Sequence, residues 1–163
     1  MRTALLLVAT MLLAGPARGE LKPGRPAIDF DLPTLDGKRL TLGSLRGQVV
    51  LLDFWASWCG PCKQELPELE KLHRQYAGKG LVIVTINIDE ERGNAAAMAK
   101  RLGLTLPVAL DTESKVAARY EPPTMPTSFV VDRGGVVRFV HAGYRAGDLA
   151  KLTAEIDQLL AAK

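Results

Sequence analysis

Cysteine is scarce in this sequence: Cys59 and Cys62 are the two cysteines in 163 residues. That excludes a disulfide-stapled miniprotein and a four-cysteine zinc fold, and it confines any sulfur chemistry to one short stretch of chain. Histidine is equally sparse, and His73 and His141 do not stand in a paired metal-ligand spacing. An excess of one charge is also missing. Lys and Arg number 21 against 18 Asp and Glu, a net charge of +3, and no basic cluster is interleaved with aromatics. A nucleic-acid binder is therefore not expected. Internal repeats and low-complexity tracts are absent, and 47% of the residues are hydrophobic, so one compact domain is the expectation.

The apolar run Ala4 to Ala14 follows Met1-Arg2-Thr3 and leads into the small-residue stretch Gly15-Pro16-Ala17-Arg18-Gly19. It is well short of the ~20 apolar residues needed to cross a bilayer. Residues 1–19 therefore read as a cleaved secretory signal rather than a membrane anchor, and residues 20–163 as the working domain. Export, to a periplasm or its equivalent, places the chain where thiols tend to be oxidised. A cysteine pair separated by two residues closes too small a loop to restrict the unfolded chain much, so chemistry is a better reason for it than stabilisation.

After the extended stretch Lys22 to Pro26, Ile28 to Leu32 and Arg39 to Leu42 flank the turn signal Asp36-Gly37 and predict an N-terminal hairpin. Val49 to Trp55 is nearly all apolar, as in a central strand covered on both faces, with Asp53 the odd residue. Leu66, Leu69, Leu72 and Tyr76 recur at helical spacing from Pro61 onward, with Gly78 and Gly80 as the stop and a kink expected at Pro67. Leu81 to Ile88 predicts a parallel partner strand, and Ala95, Met98, Ala99 and Leu102 a second helix. A strand at Leu106 to Leu110 and a short helix at Ser114 to Tyr120 come next. Ser128 to Val131 and Val136 to Val140 form a second hairpin, and an amphipathic helix through Leu149, Leu152, Ile156 and Leu159 ends the chain.

The chemistry concentrates in Trp58-Cys59-Gly60-Pro61-Cys62-Lys63, where a buried strand ends and a helix begins. Unpaired backbone N–H groups and the helix dipole favour negative charge there, so Cys59 is expected to be the nucleophile with a lowered pKa. Cys62, one turn later, is the resolving thiol, and Pro61 suits a first turn that needs no backbone donor. A c-type haem attachment would need His where Lys63 stands. A zinc site lacks two ligands. An inert disulfide and a Cu(I) site of two thiolates, with Met125 as a further ligand, stay open beside thiol-disulfide exchange.

With these residues the chain resembles the thioredoxin superfamily, and within it the exported TlpA-like and ResA-like thiol-disulfide oxidoreductases. The likeness rests on Phe54-Trp55-Ala56, on Trp58-Cys59-Gly60-Pro61-Cys62, on Glu65 and Pro67, and on Pro126-Thr127 ahead of a strand ending in Asp132. It implies an α/β thioredoxin fold, a central mixed sheet flanked by helices, with an N-terminal β-hairpin extension. It also implies a cis peptide before Pro126, with Trp58, Gly60, Pro61, Met125 and Pro126 forming the substrate surface. Asp53 stands where thioredoxins bury an aspartate that assists the resolving thiol, and Glu65 where ResA-like proteins carry an active-site glutamate. The plainer alternatives are a structural polar group for Asp53 and a solvated charge for Glu65. Thr85 stands where thioredoxins commonly carry a lysine, and Trp55 and Trp58 either shield the active-site surface or simply pack. His73 and His141 read as surface or packing residues.

The Gly60-Pro61 pair matches strongly reducing thioredoxins, so reduction of client disulfides is expected, with apocytochrome c or copper-site proteins as clients. A reductase in an oxidising compartment needs recharging, which the resemblance assigns to a membrane donor of the DsbD or CcdA type. A monomer with no cofactor and no resident metal is expected, the Cys59-Cys62 disulfide itself being the redox centre. The alternatives are a DsbA-like oxidase or isomerase, and a Cu(I) metallochaperone.

Overall fold

The computed structural model describes residues 20–162, so the expected signal at residues 1–19 lies outside the described residues. A small antiparallel hairpin comes first, β1 (Asp31–Pro33) and β2 (Arg39–Thr41), followed by one turn of 3-10 helix at Leu42–Leu45. Then come β3 (Val49–Trp55), α1 (Gly60–Gln75), β4 (Leu81–Asn87), α2 (Arg92–Leu102), β5 (Val108–Leu110) and α3 (Ala117–Tyr120). The chain ends with β6 (Thr127–Val131), β7 (Val137–Ala142) and α4 (Asp148–Ala161). The five longer-range strands form one mixed sheet in the order β5-β4-β3-β6-β7, parallel on the β4 side of β3 and antiparallel on the β6 side. This is the mixed sheet with hairpin extension that the resemblance implied. Strand and helix ends differ by a few residues from the expected ones, the usual softness of element boundaries.

Every residue of β3 is buried, which explains its nearly unbroken apolar sequence. Val49, Leu51 and Trp55 pack with Leu66 and Leu69 of α1 and with Leu152 and Ile156 of α4. Val50, Leu52 and Phe54 pack on the opposite face with Tyr120, Phe129 and the N-terminal Leu21 and Phe30. Pro67 does not end α1, which runs on to Gln75, because the apolar residues on either side stay buried against the sheet. The helix withstands the missing backbone donor because tertiary packing stabilises it more than propensity does. α2 stops at Gly103, whose φ of +64° is the left-handed cap conformation that glycine adopts without steric cost.

Candidate active site

The end of β3 and the start of α1 place Cys59 as the N-cap of α1, with its Sγ accepting the Cys62 backbone N–H at 3.2 Å. The two cysteines form a disulfide with Cα atoms 5.4 Å apart, as close as one helical turn brings them. Cys59 is 5% exposed and Cys62 fully buried, so an incoming sulfur meets Cys59 first. On reduction, a thiolate at Cys59 would inherit the same N–H donor and the positive end of the helix. Gly60 and Pro61 are exposed, and a side chain at Gly60 would meet nothing within 4 Å, so the surface beside the disulfide is open.

Trp58 is 66% exposed beside this opening, the one exposed large hydrophobic among the described residues. Trp55 is instead fully buried and packs, with its indole N–H unpartnered. Met125 is half-buried against the apolar cluster that contains Cys59 and Cys62, and the peptide bond from Met125 to the buried Pro126 is cis. The Pro126 carbonyl accepts the Gly143 N–H at 2.8 Å, which ties this loop to the end of β7.

Beneath the cysteines lie two buried carboxyl groups. Asp53 is fully buried; its Oδ1 accepts the Ser128 hydroxyl at 3.0 Å, and its Oδ2 has no donor. Glu65 is also buried, with Oε2 lacking a donor, so it is not the solvated helix charge that its sequence position allowed. Burial raises the Asp53 pKa well above the carboxylate range, the neighbouring Glu65 raises it further, and the Ser128 hydrogen bond only partly offsets them. Burial, and then the charge of Asp148 at the start of α4, push Glu65 up to about 7. The charge of Glu65 bears on Asp53, so in this buried pair ionisation of one carboxyl favours retention of the proton by the other.

The structure thus gathers Cys59, Cys62, Asp53 and Glu65 at one end of the sheet, with Trp58, Gly60, Pro61, Met125 and Pro126 around the cysteines. His73 is partly exposed on α1, whereas His141, paired with Glu155 of α4, lines a small cavity together with Glu65 and Asp148. Thr85 lies opposite Asp53 on β4 but bonds the Pro107 carbonyl, leaving no cation there. Among the described residues no group of three or more His, Cys, Asp or Glu could hold a metal ion. The sequence reading missed Ser128 and Asp148. Ser128 was findable only through the β3–β6 register that sets it against Asp53, and no local signal pointed to Asp148.

The family model described as AhpC/TSA matches residues 23–140. The thioredoxin-like protein YneN of Bacillus subtilis strain 168 is 37% identical over 126 residues, 76% of this chain and 73% of that protein. The thiol-disulfide oxidoreductase ResA of Geobacillus kaustophilus is 33% identical over 150 residues, 88% of this chain and 86% of its own length. A crystal structure described as thiol:disulfide interchange protein DsbE, from Chlorobium tepidum, superimposes with a TM-score of 0.83 at 37% identity, covering 87% of this chain and all of that one.

Proposed function

The chain belongs to the AhpC/TSA family of thioredoxin-like proteins and is a thiol-disulfide oxidoreductase, and from that premise we propose that it reduces client disulfides outside the cytoplasm. The observation that carries the reading is Cys59 at the helix N-cap, its sulfur already accepting an N–H, open on one side and backed by a buried carboxyl pair on the other. In the reduced enzyme the Cys59 thiolate attacks one sulfur of a client disulfide. A new S–S bond forms, the client bond breaks, and the departing client thiolate takes a proton. The Cys62 thiol then loses its proton to the Asp53–Glu65 pair and attacks the Cys59 sulfur. The mixed disulfide breaks, and the client leaves with two electrons gained while Cys59–Cys62 is oxidised. Trp58, Gly60, Pro61, Met125 and Pro126 hold the client chain across the cysteines.

The reducing direction is supported by Gly60-Pro61, the pair found in strongly reducing thioredoxins. A leader at residues 1–19 and a membrane dithiol donor of the DsbD or CcdA type complete the reading, with apocytochrome c or copper-site proteins as clients and no cofactor beyond the cysteine pair. The test is the reduction potential of the pair, followed by Trp58 fluorescence in thiol buffers. A value near thioredoxin's, about −270 mV, supports the reductase, whereas about −120 mV makes the protein an oxidant. Cys62→Ser is expected to accumulate client mixed disulfides on Cys59. A pair that takes up Cu(I) tightly and never exchanges overturns the reading.

A further inference from the structure

Asp89 lies in the loop between β4 and α2, is 3% exposed, and has no part in the exchange steps above. Its carboxylate accepts the Ser57 backbone N–H at 3.0 Å, the Ser57 hydroxyl at 2.9 Å and the Asn87 side-chain amide at 2.8 Å. The Asp89 N–H returns a bond to Asn87 Oδ1 at 3.0 Å, and the Ile88 N–H donates to the Trp55 carbonyl at 3.0 Å. Asn87 is itself fully buried and paired in register with Trp55. The turn leaving β4 is therefore laced to the segment that carries the chain from β3 to Cys59, and Asp89 is the hub of the lacing.

The position has an electrostatic consequence. Ser57 precedes Cys59 by two residues, a stretch that spans at most about 7 Å, so the Asp89 carboxylate stands within roughly 14 Å of the Cys59 sulfur. Glu90, Glu91 and Arg92 beside it are exposed, where water and salt weaken their influence, but Asp89 is buried and weakly screened. A Cys59 thiolate exists only in the reduced protein, so a fixed negative charge nearby raises the free energy of that state relative to the disulfide.

We propose that Asp89 is a positioning residue for the exchange reaction that also sets its driving force, holding the Ser57 loop in place and making the Cys59–Cys62 couple a stronger reductant. This rests on Cys59 being the nucleophile. The test equilibrates the purified protein with reduced and oxidised glutathione, two glutathiones losing two electrons for each Cys59–Cys62 disulfide reduced. It also reads Cys59 ionisation from the ultraviolet absorbance of the thiolate.

Asp89→Asn, which keeps the shape and removes the charge, is expected to favour the reduced form about tenfold, some 30 mV less negative. The Cys59 thiol is expected to ionise at lower pH. Ser57→Ala keeps the carboxylate and the backbone bond, so its equilibrium constant is expected to stay within about twofold of the parent. If Asp89→Asn does not unfold cooperatively, Asp89→Ser replaces it in the same comparison. A potential and a thiol ionisation unmoved by loss of the charge overturn the inference, as does an equal shift in Ser57→Ala, which would trace the effect to loop geometry. A parent protein that does not exchange with glutathione at all overturns the proposed function with it.

Discussion

Two buried carboxyls facing each other are costly unless they do something. Asp53 and Glu65 both hold protons at pH values where the unfolded chain has released them. Raised folded pKa values mean that the native state binds more protons than the unfolded one, so stability falls as pH rises from about the unfolded carboxylate value. For Glu65 that window runs from 4.5 to about 7, and for Asp53 it opens at 3.8 and extends well above it. Asp53→Asn is therefore expected to stabilise the protein at pH 8, on the order of 2 kcal/mol by urea unfolding, while slowing resolution of the mixed disulfide. Glu65→Gln is expected to remove the ionisation near pH 7 from the rate of client reduction. A pH profile identical to the parent's would take Glu65 out of the proton path.

At the scale of elements, α1 is held to the rest of the molecule by more than its apolar stripe. Glu70 is buried near its C-terminal half and accepts the backbone N–H groups of Thr105 at 2.7 Å and Leu106 at 3.1 Å, the Thr105 hydroxyl, and Arg74 Nε at 2.8 Å. Burial pushes its pKa up, but these donors outweigh burial and hold it at about 2. A depressed folded pKa gives stability that is present above the unfolded value of 4.5 and lost as pH falls toward about 2. Glu70→Gln is expected to cost on the order of 2 kcal/mol at pH 7 and to flatten the acid limb of stability between pH 4.5 and 2. An unchanged acid limb in urea unfolding would mean that the bonds to the α2–β5 loop carry no net stability. None of this was legible in the sequence, where Glu70 is one acid among several on a helix. The helix itself was legible, because Leu66, Leu69 and Leu72 repeat at its period on either side of Pro67, and the sequence already carried it past the proline. Its tolerance of the proline depends on how strongly the sheet face holds the residues around it.

Across the whole molecule, the N-terminal segment is joined to the sheet by backbone hydrogen bonds of Gly24, Arg25 and Ala27 to Val137 and Gly135, and by an aromatic cluster. The Tyr120 ring lies 5.2 Å from both Phe54 and Phe129, and its hydroxyl donates to the Ile28 carbonyl at 2.7 Å. Tyr120→Phe is expected to cost about 1 kcal/mol, and Tyr120→Ala about 3–5 kcal/mol. Amide exchange should rise first between Leu21 and Phe30. Exchange that rises evenly over the chain would show the cluster to be ordinary core rather than a tie of this segment. By itself the sequence determined the strand-to-helix junction that carries Cys59, the burial of Asp53 within an apolar run, the two hairpins and the amphipathic helices. Each of these follows from neighbours in the chain, through a period of 2 or 3.6 residues or a turn residue. The tertiary structure alone decided that Asp53 meets Ser128 and Glu65, that Asp148 bears on Glu65, and that Asp89 holds Ser57. Those contacts join residues from different elements. They depend on strand order, register and helix placement, which the packing of both sheet faces sets and no local pattern encodes.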